Sequence, residues 1–474
     1  MFYTISVLFI LLNAWFVIKK DSPAINLLPV FLFLLLLAIF SFDKLVYLVV
    51  FLTPVSLPLS EFVKGLSFDM FLPTEPLLFS ILVVFAIKLI ASRKFDRKIL
   101  LHPVSLAIYM NLLWILAASM TSSMPVVSFK FLLSRIWFIA SFYLIAAKLF
   151  ENGKNIEKYI WLFIVSFIAV ILYSTIRHLG YGLWDRVAAH FVVDPFFNDH
   201  TSYGAVLAMY IPPTIGFLLM KNRALLFRWA AAVSFLMLSL GFILSYSRAA
   251  WMSLMAGIGI WVIIVLKIRF RTVLISFSVL LGLFLAFQTQ IIMMLEQNRV
   301  ESSANITEHI SSISNISSDA SNLERINRWS CAVRMFKDRP VFGYGPGTYM
   351  FKYAPYQLKK DRTIISTNSA DRGNAHSEYL GPLAETGFPG LLTFLFLIGV
   401  VVYTAINAYT RLNDNRLKTL VLSSLIGLAT YYVHGFMNNF LDTDKASVPF
   451  WGFTAIIVAL DIYSKKGEPF SAKT

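Results

Sequence analysis

Charged residues are scarce in this sequence. Asp, Glu, Lys and Arg make up 14% of its 474 residues, whereas soluble proteins carry about a quarter. Hydrophobic residues make up 58%, and they fall into many separate runs of about 18–20 residues, the length of helix that crosses a bilayer core. This shortage of charge excludes a chain of soluble domains. It predicts an all-α polytopic membrane protein.

Cysteine and acidic residues are also few, and each shortage has a consequence. Cys331 is the single cysteine, so no disulfide can form within the chain. The 26 Asp and Glu are outnumbered by 41 Lys and Arg, which gives a net charge of +15. These basic residues lie mostly in short loops between apolar runs. Membrane topology and anionic lipid headgroups therefore account for them, and no nucleic-acid partner is expected.

The apolar runs divide the chain into three regions. Residues 1–291 carry the N-terminal transmembrane helices, residues 292–386 form one large extracytoplasmic loop, and residues 387–474 carry the C-terminal transmembrane helices. Because Asp43 and Lys44 barely separate two apolar runs, the expected number of transmembrane helices is about 12–14. The predicted spans lie near residues 2–18, 25–40, 45–59, 77–91, 103–119, 129–149, 158–177, 202–220, 228–245, 249–266, 272–291, 388–406, 417–436 and 447–463.

The distribution of Lys and Arg predicts the orientation of the chain. When the N-terminus is placed inside, most Lys and Arg of the short loops fall on the cytoplasmic side, as the positive-inside rule requires. Both termini are therefore expected in the cytoplasm, and the loop at 292–386 outside. The Lys and Arg of that loop carry no weight, because long loops are translocated whatever their charge.

The extracytoplasmic loop contains one predicted amphipathic helix. The pattern Ser321-Asn-Leu-Glu324 is a capping box that begins a helix, and Pro340 disfavours helix at the residue before it, so the helix should end near Asp338. Its apolar side would rest on lipid or on the spans, and its basic side would face an incoming acceptor. The apolar stripe is Ile326, Trp329, Val333 and Phe336, and the basic side is Arg325, Arg328, Arg334, Lys337 and Arg339.

A glycine-rich turn follows the predicted helix, with the sequence Gly343-Tyr-Gly-Pro-Gly347. Glycine lacks a side chain, so the backbone of such a turn can come close to a neighbouring group. That group could be a ligand or another helix, and the sequence leaves both possibilities open.

Three arginines near the outer face are candidates for binding an anion. Arg248 stands between two apolar runs, and Arg325 opens the predicted helix, where the helix N-terminus adds partial positive charge to its phosphate-binding fork. Arg135 is a third candidate, although an interfacial anchor is the plainer interpretation. The alternative for Arg248 is a turn residue that reaches lipid headgroups. For Arg325 and its neighbour Arg328 the alternative is a solvated surface position.

His376 is the candidate catalytic base. It lies just before a predicted span, on the same side as the candidate arginines. Its ordinary pKa of about 6.5 leaves the imidazole mostly neutral at pH 7, so it can accept a proton. Glu378 could orient the ring, and Tyr379 could line the same cavity. The alternative is an incidental loop histidine.

Several of these residues form a pattern that resembles the O-antigen ligase and O-antigen polymerase superfamily. Each element is weak alone, but their order is fairly specific over roughly residues 195–405. The segment FFNDHTSYGAVLAMYIPP also resembles the part of that family that opens a span with Asn/Asp-His. The other elements are Arg248 in SYSRAAW, Arg325-x-x-x-Trp329, Asp338-x-Pro340, Gly343-x-Gly345-x-Gly347, His376-Ser-Glu-Tyr-Leu380 and Glu385-x-Gly387-x-x-Gly390.

The resemblance implies a multi-pass glycosyltransferase of the bacterial inner membrane, with its active site facing the periplasm. Members of this family move a glycan from an undecaprenyl-pyrophosphate carrier to an acceptor hydroxyl, in the synthesis of lipopolysaccharide or another surface polysaccharide. Arg248 and Arg325 would hold the pyrophosphate, and His376 would serve the acceptor in an inverting reaction. The implied partners are the lipid-linked glycan donor, a glycolipid or glycan acceptor, and membrane lipid. Possible further cavity residues are Arg135, Arg186, His200, Arg328, Glu378 and Tyr379.

Neither a metal nor another cofactor is expected. Arg186, His190, Asp199 and His200 share one loop region, but their spacing matches no metal motif, so a polar cavity wall is the interpretation. Asp442-Thr-Asp444 resembles the Asp-x-Asp pattern that holds a metal in many glycosyltransferases. Two aspartates in a short loop are common, so a metal there is kept only as the alternative.

Two other functions stay open. A polymerase that joins lipid-linked repeat units would use the same residues as a ligase. The excess of basic residues on the predicted helix slightly favours a ligase that uses an anionic acceptor. A transporter or flippase of lipid-linked sugars should show repeated halves with broken helices paired across them. No such pairing is visible, and the asymmetric outer loop favours an enzyme.

Overall fold

The computed structural model gives the protein an almost wholly helical fold. It describes residues 2–20, 37, 41–63, 70–92, 95–269, 324–358 and 373–464, together with residues 271, 272, 275, 278, 279, 282 and 286. Within this part of the chain the strands are one antiparallel pair, Leu57–Pro58 and Phe71–Leu72. The main helices of the same part are α1 (Phe2–Lys20), α2 (Phe42–Leu52), α3 (Thr74–Ser92), α4 (Arg97–Leu100), α5 (Pro103–Met120), α6 (Pro125–Leu149), α7 (Lys154–Leu179), α8 (His200–Leu219), α9 (Leu225–Leu244), α10 (Arg248–Val265), α11 (324–338), α12 (Tyr349–Lys352), α13 (Leu380–Arg411), α14 (Asn415–His434) and α15 (Asp444–Tyr463).

Nine of the described helices are long and apolar enough to cross a membrane, namely α3, α5, α6, α7, α8, α9, α10, α13 and α15. This finding confirms an all-α polytopic membrane protein. In α3 and α10 only 22% of the apolar window is buried, whereas the buried share is 78% in α8 and 89% in α15. Helices α8 and α15 therefore form the centre of the bundle, and α3 and α10 present apolar side chains to lipid.

Helix α14 also lies in the centre of the bundle, although it is less apolar. Its Ser423, Ser424 and Thr430 are buried. A Cβ at Gly427 would lie 2.6 Å from the carbonyl oxygen of Met209 in α8, so α8 and α14 approach closely at a residue without a side chain. The span predicted at 417–436 is thus a helix packed by other helices.

The span predicted at 45–59 is wrong. The helix in this region, α2, has 11 residues, and at about 1.5 Å per residue it is too short to cross a bilayer. Pro54 lies in a single 3-10 turn after it, and Pro58 belongs to the short strand pair. Proline lacks an N–H group and crowds the preceding turn, which disfavours an α-helix at these positions. The spans predicted at 25–40 and 272–291 lie largely outside the described residues.

Two ends of the bundle are distinguished below. The insert side is the end that contacts residues 324–358, and the opposite side is the other end. Ser123, in the connection between α5 and α6, donates its N–H to the carbonyl oxygen of Tyr344 at 2.9 Å, so this connection lies on the insert side. At the other end of α5, His102 contacts Asp461 at 3.2 Å.

Two helix starts on the insert side are fixed by caps. Asp199 precedes α8, and its carboxylate accepts hydrogen bonds from the N–H groups of Thr201 and Ser202. Ser247 precedes α10, and its hydroxyl accepts a hydrogen bond from the N–H of Ala250. Such caps satisfy N–H groups that have no partner within the helix. They hold the first residues of α8 and α10 in place, next to the candidate functional site.

Candidate functional site

The glycine-rich turn after α11 docks on the start of α13. Gly345 donates its N–H to the carbonyl oxygen of Glu385 at 2.8 Å, and Tyr344 donates to that of Ala384 at 3.1 Å. Gly343 has a φ of +67°, and a Cβ there would lie 2.3 Å from the carbonyl carbon of Glu385. A side chain cannot be accommodated at this position. Of the two possibilities for this turn, the structure brings it against a helix.

Helix α11 carries a buried ion pair. Residues 324–338 are helical, so the helix ends at Asp338 as predicted, while the predicted cap Ser321 lies outside the described residues. Arg328 donates from Nε to Oε1 of Glu324 at 2.8 Å. The two side chains are 8% and 6% exposed. This pair joins adjacent turns of α11 on the side that faces the rest of the protein.

The predicted basic side of α11 is therefore partly wrong. Arg328 is enclosed in its ion pair, and Arg334 is half-buried and donates to the carbonyl oxygen of Tyr356 at 2.6 Å. The apolar stripe lies outward instead, with Ile326 53% exposed and Val333 36% exposed. An outward apolar surface is stable beside a membrane, because lipid can cover it. The inward side is built from Glu324, Asn327, Arg328, Cys331, Ala332 and Met335.

His376 lies on a constrained turn just before α13. Its φ is +48°, in a region that residues other than glycine seldom occupy. Its N–H donates to Oδ1 of Asn374 at 3.0 Å, and its carbonyl oxygen accepts from Nε1 of Trp329 at 3.3 Å. Neither ring nitrogen is hydrogen-bonded to a residue that the structure describes. A strained, fixed backbone with a ring left available is typical of a functional position.

The charges around His376 keep its ring neutral. Burial, and then the positive charges of Arg325 and Arg328, lower the pKa of His376 to about 4. The carboxylates of Asp199 and Glu324 act in the opposite direction but are outweighed. The imidazole is therefore unprotonated at neutral pH. The charge of Arg325 therefore acts on the ring of His376.

Arg325, His376, Asp199 and His434 form a group that we call the charged cluster. Burial lowers the pKa of Arg325, and Asp199 opposes that shift. His434, the last residue of α14, is 1% exposed and interacts electrostatically with both Asp199 and Arg325. The cluster thus joins α8, α11, α14 and the segment before α13.

Arg248 begins α10 at the edge of the charged cluster. It immediately precedes Ala249, and its side chain is exposed. It makes no hydrogen bond or ion pair with a residue in the described ranges. Tyr246, two residues earlier, has a φ of +48°. The turn therefore fixes the start of α10 and leaves the guanidinium group exposed.

The connection between α7 and α8 supplies two histidines. The ring centroids of His190 and His200 are 4.0 Å apart. His200 also interacts electrostatically with Arg325, so the structure brings it to the charged cluster. Arg186 is exposed and lies farther out, with its guanidinium 6.0 Å from the ring of Tyr246. Of the residues predicted to form a polar wall, His200 is therefore close to the cluster and Arg186 is peripheral.

Glu378 does not orient the ring of His376. It accepts hydrogen bonds at Oε1 from the hydroxyl of Tyr431 (2.6 Å) and from the N–H groups of Phe440 (2.8 Å) and Leu441 (2.9 Å). These donors belong to α14 and to the connection between α14 and α15. Burial raises the pKa of Glu378, and the hydrogen bonds oppose this shift. The carboxyl group joins two parts of the chain that are distant in sequence.

Tyr379 has a packing role next to Glu378. Its hydroxyl donates to the carbonyl oxygen of Tyr432 at 2.7 Å, and its ring stacks on Phe436 with centroids 4.3 Å apart. Together the two side chains attach the segment after His376 to the end of α14. They fix the backbone that carries the candidate base.

The two aspartates of the Asp-x-Asp pattern face different partners. Arg135 donates from Nη2 to Oδ1 of Asp442 at 2.8 Å. Asp444 is buried and accepts from the hydroxyls of Ser56 (3.0 Å) and Thr74 (2.5 Å). Within the described residues, no group of three or more His, Cys, Asp and Glu is arranged to hold a metal ion. The arrangement of these aspartates does not fit a metal site.

His434 was not identified from the sequence as part of the site. Its Nε2 lies 3.1 Å from Nδ2 of Asn438, which holds one edge of the ring. A usable signal was present, because His434 falls inside the apolar run predicted as a span at 417–436. Ionisable residues within spans are rare and mark functional positions by default.

One comparison with known proteins gives a match to part of the chain. Residues 232–395 match the protein-family model described as O-antigen ligase. The matched segment runs from α9 to the first half of α13 and contains Arg248, Arg325 and His376. No curated protein shows significant similarity to the chain. The chain is therefore a multi-pass membrane protein in which residues 232–395 are similar to the O-antigen ligase family.

Proposed function

We propose that the protein transfers a glycan from an undecaprenyl-pyrophosphate carrier to an acceptor hydroxyl, in the manner of an O-antigen ligase. The observation that carries this proposal is the docking of His376 on α11, the helix that carries Arg325, through the hydrogen bond that Trp329 donates to the carbonyl oxygen of His376. Such a transfer needs a cation for the leaving pyrophosphate and a neutral base for the acceptor. The insert side would then face the periplasm, and both termini the cytoplasm.

Arg325 and Arg248 would bind the pyrophosphate of the donor. Guanidinium groups form paired hydrogen bonds with phosphate oxygens. Arg325 lies near the start of α11, where helix N–H groups add positive charge. Arg248 is exposed and can reach a phosphate at the level of the lipid headgroups. Negative charge develops on the pyrophosphate as its bond to the anomeric carbon breaks, and fixed cations stabilise that charge.

His376 would take the proton of the acceptor hydroxyl. The acceptor oxygen attacks the anomeric carbon from the face opposite the pyrophosphate. A new carbon–oxygen bond forms while the bond to the carrier breaks, the proton moves to His376, and the carrier pyrophosphate leaves with the bonding electrons. A single attack of this kind inverts the configuration at the anomeric carbon. The scheme requires no metal ion.

The charges around His376 would couple the base to the donor. With a pKa of about 4, the imidazole of the empty site is a weak base. A pyrophosphate bound at Arg325 would offset the positive charge that lowers this pKa. Donor binding should therefore raise the pKa of His376. The base then becomes stronger only when a glycan is present for transfer.

This coupling predicts that two pH profiles differ. The acid limb of kcat/KM reports the free enzyme, and that of kcat reports the complex with substrate. Because the pKa of free His376 is about 4, kcat/KM should stay level from pH 8 down to about pH 5. The acid limb of kcat should begin at a higher pH than the acid limb of kcat/KM. Initial rates of the purified protein would show the difference. A kcat/KM that falls already at pH 6.5 would mean that His376 titrates as an ordinary histidine.

Ligase and polymerase are distinguished by the substrates supplied. The family description favours a ligase. Purified protein given lipid-linked glycan alone should therefore form no longer lipid-linked product, and adding a glycolipid acceptor should start transfer onto it. Ladders of longer lipid-linked glycan from donor alone would establish a polymerase instead. Failure to consume the donor under both conditions, with the donor bound, would overturn the proposed glycosyltransferase.

A further inference from the structure

A second cavity lies between α5, α6, α13 and α15, apart from the charged cluster. The empty space in it is about 510 Å³ when the open solvent at its mouth is included, and water-sized spheres can be centred in about 40 Å³ of it. The scheme for glycan transfer uses none of its side chains. Its charged lining consists of Arg135, Glu378 and Glu385, and its aromatic lining consists of Phe131, Phe394 and Trp451.

The cavity brings charged groups between membrane-spanning helices. Arg135 of α6 lies one turn after Phe131, whose ring would lie 3.4 Å from a Cβ at Gly347 in the glycine-rich turn. The side chain of its partner Asp442 is 49% exposed. The cavity therefore lies beneath the glycine-rich turn, near the insert side. Charged side chains on membrane-spanning helices often mark pathways or binding sites.

Trp451 lines this cavity, and its indole N–H has no hydrogen-bond partner among the described residues. The residue is 2% exposed. A buried N–H without an acceptor is costly, so a ligand or solvent oxygen is expected there. Glu378 offers a matching acceptor, because its hydrogen bonds with described residues all end on Oε1. Its second oxygen remains for the cavity.

The charge of the cavity is unsuited to a phosphate. Glu378 and Glu385 bring two carboxyl groups, while the one cation, Arg135, is already paired with Asp442. A phosphate would find no unpaired cation among these lining residues. A neutral sugar has the complementary groups, because its hydroxyls can donate to carboxylates and accept from an indole N–H. Aromatic rings can cover its apolar C–H faces.

We propose that this cavity binds a neutral sugar ring of the acceptor glycan. The proposal rests on the proposed function, since it assigns a site to the second substrate of that reaction. Glu378 lies two residues after His376 and fixes the N–H groups of Phe440 and Leu441. A sugar held against Glu378 is therefore next to the short segment that carries the base. The two substrates occupy different parts of the protein, the anionic donor at the arginines and the neutral acceptor at the carboxylates.

Replacing Trp451 with phenylalanine tests the acceptor site. The variant W451F removes the N–H and keeps an aromatic ring, so the acceptor KM should rise about three- to tenfold, the effect of one neutral hydrogen bond. The kcat and the donor KM should be unchanged. Trp261→Phe is the matched control, because Trp261 is 43% exposed on α10, and all its parameters should equal those of the wild type. An unchanged acceptor KM in W451F would mean that water alone occupies the cavity.

A second variant and a binding measurement keep the proposal testable if W451F fails to fold. Phe394 is half-buried, and Phe394→Leu removes an aromatic face from the cavity, so the acceptor KM should again rise. In lipid nanodiscs, octyl glycosides of neutral hexoses should raise the Tm of the wild type but not of either variant, whereas octyl glucuronide should have no effect. Equal stabilisation of all three proteins, or stabilisation of none, would overturn the proposal. This binding readout is independent of whether the wild type transfers glycan, so a failure of the proposed function is recognised separately.

Discussion

Replacing His376 with alanine should lower the kcat of glycan transfer by about 10²–10⁴-fold, the usual contribution of a general base. The ring of His376 has no hydrogen bond to a described residue, so its loss should cost little stability. Its backbone is held by Asn374 and Trp329, and these contacts do not require the imidazole. Donor binding should persist, because Arg325 keeps its position. Single-turnover transfer and donor binding, measured separately on the purified variant, would show this division.

His102→Ala provides the comparison for His376→Ala. His102 lies on the opposite side of the bundle, where it contacts Asp461 at 3.2 Å. Its loss should lower the Tm, since Asp461 loses a buried partner, while kcat stays within about twofold of the wild type. If His376→Ala retains near-normal kcat, the assignment of the base is wrong. If both variants lose activity together with stability, the effect of His376 is on folding.

The transmembrane helices could be predicted because lipid imposes a strict rule on the backbone. Every N–H and C=O group within a bilayer must be satisfied inside the segment, so an apolar run of sufficient length becomes a helix. The segments that became α5, α8 and α15 follow this rule. The segment of α2 does not, because Pro54 and Pro58 interrupt the helix before it can cross. The apolar run there is long enough to suggest a span, but its two prolines follow the end of the helix.

The buried face of α11 could be predicted only in part from its amphipathic pattern. The stripe of Ile326 and Val333 was predicted to rest on lipid or on the spans, with the basic residues facing an acceptor. The structure leaves both side chains outward. The inward side contains Glu324 and Arg328, which satisfy each other four residues apart. Such a pair has the same spacing as an exposed helix pair, so the sequence alone cannot tell that it is buried.

The charged cluster could be predicted only in part, because its members come from distant segments. Arg325 and His376 belong to motifs with a recognisable order. Asp199 and His434 join them only through the packing of α8 against α14. Glu378 illustrates the same limit, since its sequence neighbour His376 suggested one role, while its hydrogen bonds reach Phe440 and Leu441. Sequence distance does not predict which of two nearby groups a carboxylate will contact.

Replacing Arg325 with lysine should lower kcat/KM for the donor by about 10–10²-fold, although the positive charge remains. Lysine loses the planar fork that binds two phosphate oxygens at once, and a charge-assisted hydrogen bond contributes about 1.5–3 kcal/mol. Arg325 is half-buried, so solvent replaces the lost donor only in part. Arg248→Lys should have a smaller effect, because Arg248 is exposed and a lysine there can still reach a phosphate. Donor titrations at fixed acceptor concentration would give both values.

Arg339→Lys separates the role of Arg325 from a general effect of arginine on this segment. Arg339 is exposed beyond the end of α11, with its guanidinium 4.6 Å from the ring of Tyr344, and lysine can keep that contact. Its donor kcat/KM should match the wild type. If Arg325→Lys also matches the wild type, Arg325 does not bind the pyrophosphate through its fork.

The same assays repeated in EDTA complete the test, since cations supplied by arginine leave no need for a metal ion. Loss of all wild-type activity in EDTA, restored by magnesium or manganese, would move the pyrophosphate site towards Asp442 and Asp444 and away from Arg325.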